Sequence, residues 1–291
     1  MTRAVKWRGR AISTALAPRA TMSVWVRDDL AGALAGDPFA ALEGMSKVTV
    51  RRADNRHTFR MENGDSAYFV KVHEGVGWRQ ILEDVLTLKR PVVDAGNECA
   101  ACRRLAEVGI RAPQVAAFGV RGTSPATRQS FVVCDALEGF VSLTEVAGRW
   151  RGQPPAPSLR WQLTRELARL VRALHDAGVN HRDLYFDHVL ANSTALQDGR
   201  VELALIDLHR AGLRRRVPRR WLLRDLAALS FSAAYEGATR TDQFRFLRHY
   251  TAGSPARALR SEPRFWRTVA QRAARLQAKG KRDTAARARR G

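Results

Sequence analysis

The feature that most constrains this chain is a pair of acidic residues, each placed at the end of an apolar segment. The tripeptide His181-Arg182-Asp183 directly follows a helix pattern, and Asp207 comes 24 residues after Asp183, at the end of the buried-strand candidate 201–206. A carboxylate at the end of a buried strand must be paired or bound to a metal ion, because an isolated buried charge is too costly. The order of helix, acidic loop, strand and second acid therefore predicts one cleft that holds both carboxylates.

Two carboxylates in this order suit phosphoryl transfer. That reaction needs one carboxylate to accept the proton of the attacking hydroxyl and another to hold Mg²⁺ against the phosphates, and Mg²⁺ prefers oxygen ligands. Asp183 is thus the candidate catalytic base and Asp207 the candidate metal ligand. Taken alone, the tripeptide is equally compatible with a chance string in a loop, and it is the position of Asp207 that favours function.

A lysine within an apolar strand is the third candidate. Lys71 lies in the segment Tyr68-Phe69-Val70-Lys71-Val72, and lysine is rarely buried without a partner. Glu98, 27 residues later on a predicted helix, is the candidate partner, and this pairing is typical of a lysine that grips the phosphates of ATP. The alternative for Lys71 is an edge strand from which the side chain points to solvent.

Periodicity and turn residues predict an α+β chain without internal repeats, with strands first and helices later. Segment 47–72 is predicted as strand, turn and strand, with the turn at 62–65, and 130–134 is predicted as a buried strand. The predicted helices are 95–108 closed by Gly109, one from the N-cap Ser158 to Gly178, Trp221–Ala234 and Phe265–Lys279.

These elements divide the chain into two lobes between flanking basic segments. The predicted lobes are a small β-rich N-lobe, 22–138, and a larger, mostly helical C-lobe, 139–279. Residues 1–21 are predicted as a basic, flexible extension and 280–291 as a basic, disordered tail. Met22 is a candidate for the natural start. The chain lacks an apolar run long enough to predict a transmembrane helix.

The charge of the chain indicates anionic partners. Fifty lysines and arginines stand against 28 acidic residues, a net charge of +22, and seven arginines lie within 210–224. Such a charge attracts an anionic membrane surface, an acidic protein, nucleic acid or an anionic substrate. A nucleic-acid binder would interleave aromatic residues with its basic runs, but 210–224 contains only Trp221, so nucleic acid is disfavoured. Three arginines are candidates for contact with an anionic saccharide, and they are Arg214, Arg215 and Arg216.

The cysteines indicate a reducing, cytoplasmic compartment, because three cysteines do not make a disulfide framework. Cys99 and Cys102 form a Cys-x-x-Cys pair inside a predicted helix, and Cys134 is the third thiol. A structural zinc site needs four ligands. Buried structural cysteines are therefore predicted rather than a metal or redox site.

Four longer strings extend the pattern of acidic residues and lysine. They resemble the lipopolysaccharide core heptose kinase family (WaaP/RfaP type), a bacterial branch of the protein-kinase-like fold, over about residues 22 to 280. The strings are His73-Glu74-Gly75-Val76-Gly77-Trp78, Ala95-Gly96-Asn97-Glu98, Asn180-His181-Arg182-Asp183-Leu184-Tyr185 with His188, and Ile206-Asp207-Leu208-His209-Arg210-Ala211.

The resemblance implies a bilobal protein-kinase-like fold and transfer of the γ-phosphate of ATP, with Mg²⁺, to an inner-core heptose hydroxyl of lipopolysaccharide. It also implies a place at the cytoplasmic face of the inner membrane, peripheral to it. By matching position, it makes Asp183 the base, Asp207 the metal ligand, Lys71 the phosphate lysine and Glu98 the partner of that lysine.

Other residues are placed by their position in such a fold. Adenine contacts are expected from the backbone between Asp135 and Leu137, and His181 and Asp225 are expected to support the catalytic loop. His188 stands where protein kinases have a metal-binding asparagine. This position makes His188 a candidate second metal ligand. Because imidazole is a poor Mg²⁺ ligand compared with oxygen, the alternatives are that His188 touches phosphate or positions the loop instead.

The sequence departs from protein kinases ahead of Lys71. The segment 54–60 lacks the Gly-x-Gly-x-x-Gly loop, and Arg56 and Arg60 there are expected either at the phosphates or in solvent, with solvent favoured. Two other functions stay open. An aminoglycoside or choline kinase would carry asparagine in place of His188, and a non-catalytic protein that binds membrane or nucleic acid would lack the base, the metal ligand or the lysine.

Overall fold

The structure is a computed structural model that describes residues 22–45, 49–53, 56–86 and 94–288. Its strands in chain order are β1 Met22–Val26, β2 Thr49–Ala53, β3 Arg56–Asn63, β4 Ser66–His73, β5 Val115–Arg121, β6 Gln129–Asp135, β7 Phe140–Ser142, β8 Val179–Asn180, β9 Val189–Asn192, β10 Leu203–Leu205 and β11 Gly212–Leu213. Its α-helices are α1 Pro38–Met45, α2 Gly77–Leu86, α3 Gly96–Glu107, α4 Leu143–Gly152, α5 Pro157–Asp176, α6 Ser193–Gln197, α7 Arg219–Tyr235, α8 Arg240–Tyr250, α9 Pro255–Ser261 and α10 Pro263–Ala288. The extension predicted at 1–21 lies outside the described residues.

An antiparallel six-stranded sheet, in the order β1-β5-β6-β4-β3-β2, forms the first half of the molecule. The predicted turn at 62–65 joins β3 to β4 and places Gly64 at φ 59°, which glycine adopts without strain. The segment predicted as two strands holds three, because 56–60 is strand rather than loop. Phe59 and Met61 are buried and Arg60 is exposed there, the alternation of a strand. Residues 46–48 and 54–55 of this segment lie outside the described part.

Both faces of this sheet are covered, and β6 shows how the sequence achieves it. Phe131 and Val133 point to one face, and Val132 and Cys134 point to the other. The first face packs against the segment between β1 and β2, which includes α1 and buries Leu30, Leu34, Phe39 and Leu42. The second face packs against α3, through residues such as Leu105. Burial of each large apolar side chain contributes about 2 kcal/mol to stability.

The three cysteines lie in the core on the α3 side of this sheet. Cys99, Cys102 and Cys134 are buried free thiols. Burial raises the pKa of Cys99 to about 11, and a hydrogen bond with the thiol of Cys102, together with burial, raises the pKa of Cys134 well above its ordinary value. Protonated, inaccessible thiols are unreactive, so the predicted structural role is confirmed by their burial.

The chain leaves the large sheet after Asp135 and enters a three-stranded sheet, ordered β10-β9-β7, at Phe140. Around that small sheet the described second half is mostly helical. Helix α5 buries Leu167, Val171 and Leu174 at helical spacing. It packs against α8, and α7 packs against α10. The arrangement is a β-rich lobe followed by a larger helical lobe.

Several boundaries differ from the sequence prediction. Helix α5 begins at Pro157 with Ala156 as its N-cap, so Ser158 is not the cap; proline without an N–H fits the first helical position, and the serine falls inside the helix. The strand predicted at 201–206 is shorter, Leu203–Leu205. Disorder predicted from Gly280 is wrong as far as Ala288, because the alanine- and arginine-rich segment has high helix propensity and continues α10.

Across the described part of the chain, every helix is too short or too polar to cross a lipid bilayer.

Candidate active site

Gly178 and Asp225 shape the loop that carries Asp183. Helix α5 ends at Asp176, and Gly178 just beyond it, with a φ of 77°, turns the chain into β8. The carboxylate of Asp225 on α7 is fully buried and accepts hydrogen bonds from the backbone N–H groups of His181 at 2.7 Å and Arg182 at 2.8 Å. Because a buried carboxylate requires such donors, the two bonds satisfy Asp225 and fix the backbone just before Asp183.

His181 connects this loop to the strand that precedes Asp207. Burial lowers the pKa of His181, so the ring is neutral. Its Nε2 lies 2.9 Å from the carbonyl oxygen of Ile206, and because a carbonyl can only accept, Nε2–H is the donor. The bond holds the segments of the two acidic residues together.

Lys71 joins the two lobes through carboxylates on different elements. Its Nζ donates to Oε1 of Glu98 on α3 at 2.6 Å and to Oδ1 of Asp207 at 3.0 Å. Burial by itself lowers the pKa of Lys71, but the two carboxylates outweigh burial and raise the pKa above its ordinary value. The lysine is therefore charged, and the predicted pair of Lys71 with Glu98 is present.

Asp207 has a left-handed backbone, with φ 60° and ψ 52°. Such conformations are uncommon outside glycine and concentrate at functional sites. Burial favours protonation of Asp207, but a hydrogen bond from Nδ1 of His209 at 2.7 Å and the charge of Lys71 hold its pKa well below the usual range. The carboxylate is therefore ionised and faces the cleft beside the lysine.

Two arginines contact the carboxylate of Asp183. Nη1 of Arg210 lies 2.9 Å from Oδ2 and 3.3 Å from Oδ1, and Nη2 of Arg224 lies 3.6 Å from Oδ1. Arg224 is held by its own Nε, which donates to the carbonyl oxygen of Arg182 at 3.0 Å, and its guanidinium stacks 5.7 Å from the ring of Trp221. The base candidate therefore lies in a strongly positive setting.

His188 lies between the two acidic residues. Its Nδ1 is 2.7 Å from the carbonyl oxygen of Asp183, so Nδ1–H donates. Its Nε2 faces Oδ2 of Asp207 at 3.6 Å. With Nδ1 engaged, Nε2 is the ring nitrogen of His188 that faces the carboxylate of Asp207.

The segment expected to contact adenine lies where the chain passes between the lobes. The carboxylate of Asp135 accepts two hydrogen bonds from Arg27, at 2.9 and 2.7 Å. The N–H of Asp135 donates to the carbonyl oxygen of Gln114, and the N–H of Ala136 donates to that of Ala67, both at 2.9 Å. Because these two N–H groups are already bonded within the protein, the groups of this segment that remain for a ligand are its carbonyl oxygens and Leu137.

Comparison with known proteins places this chain. Residues 41–250 match the lipopolysaccharide kinase (Kdo/WaaP) family. The chain belongs to this family. It is 43% identical over 229 residues to the lipopolysaccharide core heptose(I) kinase WaaP of Pseudomonas aeruginosa, with 78% of the chain and 85% of that protein covered. It is 36% identical over 227 residues to the protein of the same name from Escherichia coli, with 78% and 86% covered.

A solved structure of WaaP in complex with acyl carrier protein superposes on this chain with a TM-score of 0.75. The two are 35% identical, and the match covers 87% of this chain and 99% of that one. The predicted bilobal protein-kinase-like fold and the predicted family are both confirmed.

The donor set of this lipopolysaccharide kinase family member fits Mg²⁺ bound with a nucleotide. Mg²⁺ usually takes one or two carboxylates and completes its shell with water and substrate phosphates. Ionised Asp207, with Nε2 of His188 facing it, offers such a partial set. Among the described residues no three histidine, cysteine or acidic side chains come together as a complete protein-only metal site.

The three arginines predicted at the substrate do not act as one group. Arg214 turns inward, where Nη1 donates to the side-chain oxygen of Asn180 at 2.7 Å and the guanidinium lies 5.7 Å from the ring of Trp221. Arg215 and Arg216 are exposed on the loop before α7. The arginines that reach Asp183 are Arg210 and Arg224.

Sequence reasoning did not single out Arg210, Arg224 or His209 for contacts with the acidic residues. Arg210 and His209 stand inside the string that carries the family resemblance, which was a usable signal for both. Arg224 had no local signal beyond the run of arginines, because its contact depends on how α7 packs against the loop.

Proposed function

We propose that this chain is an ATP- and Mg²⁺-dependent kinase that phosphorylates a hydroxyl of an inner-core heptose of lipopolysaccharide. The observation that carries the proposal is the meeting of Asp183, Asp207 and Lys71 in one cleft, with the lysine paired to Glu98. Family membership and the two heptose(I) kinases at 43% and 36% identity support the choice of acceptor. A non-catalytic relative is expected to have lost one of these three groups.

Asp183 is the catalytic base in this proposal. It accepts the proton of the heptose hydroxyl while that oxygen forms a bond to the γ-phosphorus of ATP. The bond from the γ-phosphorus to the β,γ-bridging oxygen breaks, and ADP leaves with the electron pair. Because phosphoryl transfer depends mainly on position and charge, the backbone bonds from Asp225 serve it by fixing the loop.

Lys71, Glu98 and Asp207 hold the phosphates. The lysine neutralises phosphate charge, and Glu98 keeps it in place at 2.6 Å. Asp207 is the metal ligand, with His188 as a second contact to the metal or to phosphate. When bound, Mg²⁺ neutralises the phosphate oxygens as a Lewis acid.

Adenine binds against the segment of chain that passes between the lobes. The backbone carbonyls of Asp135 and Ala136 and the backbone of Leu137 are the groups proposed to contact it. The side chain of Asp135 serves structure instead, because Arg27 binds both of its oxygens. The ion pair keeps the segment before α1 attached at the edge of the nucleotide site.

The test is transfer of labelled γ-phosphate from Mg·ATP to purified lipopolysaccharide that lacks core phosphate. Label on the saccharide is expected with the wild type, and the variant Asp183→Asn, which keeps the shape without the base, is expected to lose about 10²–10⁴-fold in rate. Asp198→Asn, an exposed acid paired with Arg200, is the matched control. Unchanged transfer by Asp183→Asn would refute the proposed base. ATP binding without any labelled saccharide would point to another small-molecule acceptor.

The chain is also proposed to sit on the anionic face of the membrane that carries the acceptor. Trp78, Leu82 and Leu86 on α2 are 59%, 57% and 81% exposed and recur every fourth residue, so they form one apolar stripe. An exposed amphipathic helix on a chain of charge +22 suits an anionic lipid interface. Wild-type protein should float with vesicles of anionic lipid and not with zwitterionic ones, and Leu82→Glu should weaken flotation. Equal flotation of both proteins would contradict this contact.

An acidic protein is a further proposed partner, because the similar solved structure is of WaaP with acyl carrier protein. A chain with 50 basic and 28 acidic residues has the complementary charge. Co-purification of acyl carrier protein with the wild-type chain at low salt, and its loss at high salt, is the expected result. Co-purification that does not depend on salt would argue against a charge-led contact.

A further inference from the structure

The carboxylate of Asp183 is already occupied by cations of the chain itself. Nη1 of Arg210 contacts both carboxylate oxygens, at 2.9 and 3.3 Å, and Arg224 lies 3.6 Å from one of them. The side chains of Asp183, Arg210 and Arg224 are 17%, 34% and 31% exposed, so a ligand in the cleft can reach all three.

This ion pair conflicts with the role of a base. The hydroxyl proton of an acceptor must reach an oxygen of Asp183, and a guanidinium donates hydrogen bonds but accepts neither a proton nor a hydrogen bond. Arg210 spans both carboxylate oxygens and so competes with the acceptor hydroxyl for them. In this partly buried site, an arginine that leaves one anion is stabilised by meeting another.

Arg224 is placed to stay while Arg210 moves. Its Nε is bound to the carbonyl oxygen of Arg182, and its guanidinium lies against Trp221 together with that of Arg182, at 5.7 and 4.3 Å from the ring. The guanidinium of Arg210, by contrast, is bonded to Asp183 itself. A fixed arginine next to a movable one makes a subsite that matches two oxygens of a carboxylate or a phosphate.

We propose that Arg210 and Arg224 form an oxyanion subsite for the acceptor saccharide, and that Arg210 moves from Asp183 to a carboxylate or phosphate of the acceptor when the acceptor binds. The base is then freed only by an acceptor that carries an anion near its reacting hydroxyl. Arg210 is thus a specificity-determining and positioning residue. The inference rests on the proposed function, because it assumes that the acceptor is a saccharide of the anionic lipopolysaccharide core.

The test measures binding separately from transfer. Core oligosaccharide that is freed of lipid and still carries the unphosphorylated heptose hydroxyl is titrated calorimetrically into the wild type, Arg210→Lys, Arg210→Gln and Arg224→Gln, each with Mg²⁺ and a non-hydrolysable ATP analogue. Three forms of the oligosaccharide are compared: intact, carboxyl-reduced and dephosphorylated. Arg200→Gln is the matched control, because Arg200 is also paired with carboxylates, those of Asp198 and Glu202, but in the exposed connection between α6 and β10.

The wild type and Arg200→Gln are expected to bind the intact form at least about tenfold more tightly than the form that lacks the recognised oxyanion. A tenfold difference in affinity is the contribution expected from a single charge-assisted hydrogen bond. Loss on carboxyl reduction identifies a carboxylate, and loss on dephosphorylation identifies a phosphate. Arg210→Gln should bind all three forms alike, with Arg210→Lys between, and Arg224→Gln should lose affinity for the intact form.

Two results would overturn the inference: equal affinity of the wild type for all three forms, including no binding of any, or discrimination that persists in Arg210→Gln. Transfer assays on the same proteins distinguish a failure of the oxyanion subsite from a failure of the proposed kinase function. If the intact form is phosphorylated without discrimination, the subsite fails and the heptose kinase stands. If discrimination is present but no phosphate is transferred, the proposed function fails and the subsite stands. In transfer, a gate predicts that Arg210→Gln raises KM for the intact acceptor more than it lowers kcat.

Discussion

At the residue scale, the site depends on charges that are buried only because they are paired. Lys71 bridges Glu98 and Asp207, and Asp225 accepts from two backbone groups. Each partner stabilises the other, since either one alone would be an uncompensated buried charge. The interactions that hold these side chains in position therefore also contribute to the local stability of the fold.

The variant Asp225→Asn tests whether the buried carboxylate of Asp225 stabilises the loop before Asp183. The amide oxygen can accept from one of the two backbone N–H groups, but its NH₂ then faces the other donor in a fully buried place. We expect a loss of about 2–4 kcal/mol in the free energy of unfolding, measured by urea denaturation. The exposed control Asp198→Asn should change it by less than about 0.5 kcal/mol. A similarly small change for Asp225→Asn would contradict the assigned role.

His73, at the end of β4, tests the effect of burial on pH dependence. Burial, with Arg56 nearby, lowers the pKa of His73 from 6.5 to about 4. Between these values the unfolded chain binds more protons, so stability is fully present above pH 6.5 and falls as the pH falls toward 4. His73→Gln should lessen that fall by up to about 3 kcal/mol, as measured by denaturation from neutral pH to about pH 4. The same pH dependence in both proteins would show that His73 is not buried in its neutral form.

At the element scale, sequence reasoning succeeded where a pattern is local. Residues close together in sequence determine the apolar face of α5, the turn at Gly64 and the strand around Lys71. It failed where a tertiary contact or an end effect decides. The start of α5 at Pro157 and the continuation of α10 to Ala288 are such cases.

Gly178, where α5 turns into β8, is the element boundary on which the loop of Asp183 depends. Its φ is 77°, and a Cβ there would overlap the carbonyl oxygen of Arg214. Gly178→Ala should therefore lower the free energy of unfolding by about 3 kcal/mol or more, from backbone strain plus the displaced segment. Gly199→Ala is the control, because φ is 73° there but open space surrounds the position, and about 1 kcal/mol is expected. Equal losses from the two changes would show that the contact with Arg214 does not matter.

At the scale of the whole molecule, one apolar cluster spans both lobes, and polar side chains join the lobes beside the site. Lys71 from the sheet reaches Asp207 of the helical lobe, and Asn97 of α3 donates to the carbonyl oxygens of His209 and Ala211 at 2.9 and 2.8 Å. The order of Lys71, Glu98, Asp183 and Asp207 could be singled out from sequence, because each stands in its own local motif. The contact between Asp183 and Arg210 could not, because two residues 27 apart in an arginine-rich stretch are chosen only by packing.

The cover on the outer face of the sheet shows the same limit. The segment of Leu30 and Leu34 packs on that face, and Arg27 reaches Asp135 across 108 residues. Nothing in the local pattern of residues 27–45 indicates which surface they cover. The continuous apolar run of β6, residues 131–134, indicates that both faces of the sheet need a cover.

We propose that Asp183 acts in the chemical step while Asp207 and Lys71 hold the nucleotide. A single-turnover measurement, paired with calorimetric binding of Mg·ATP, tests this division of roles most directly. We expect Asp183→Asn to bind Mg·ATP like the wild type yet to transfer phosphate about 10²–10⁴-fold more slowly at saturating acceptor. Asp207→Asn and Lys71→Met should lose Mg·ATP affinity as well as transfer. A single-turnover rate for Asp183→Asn close to that of the wild type would contradict the account.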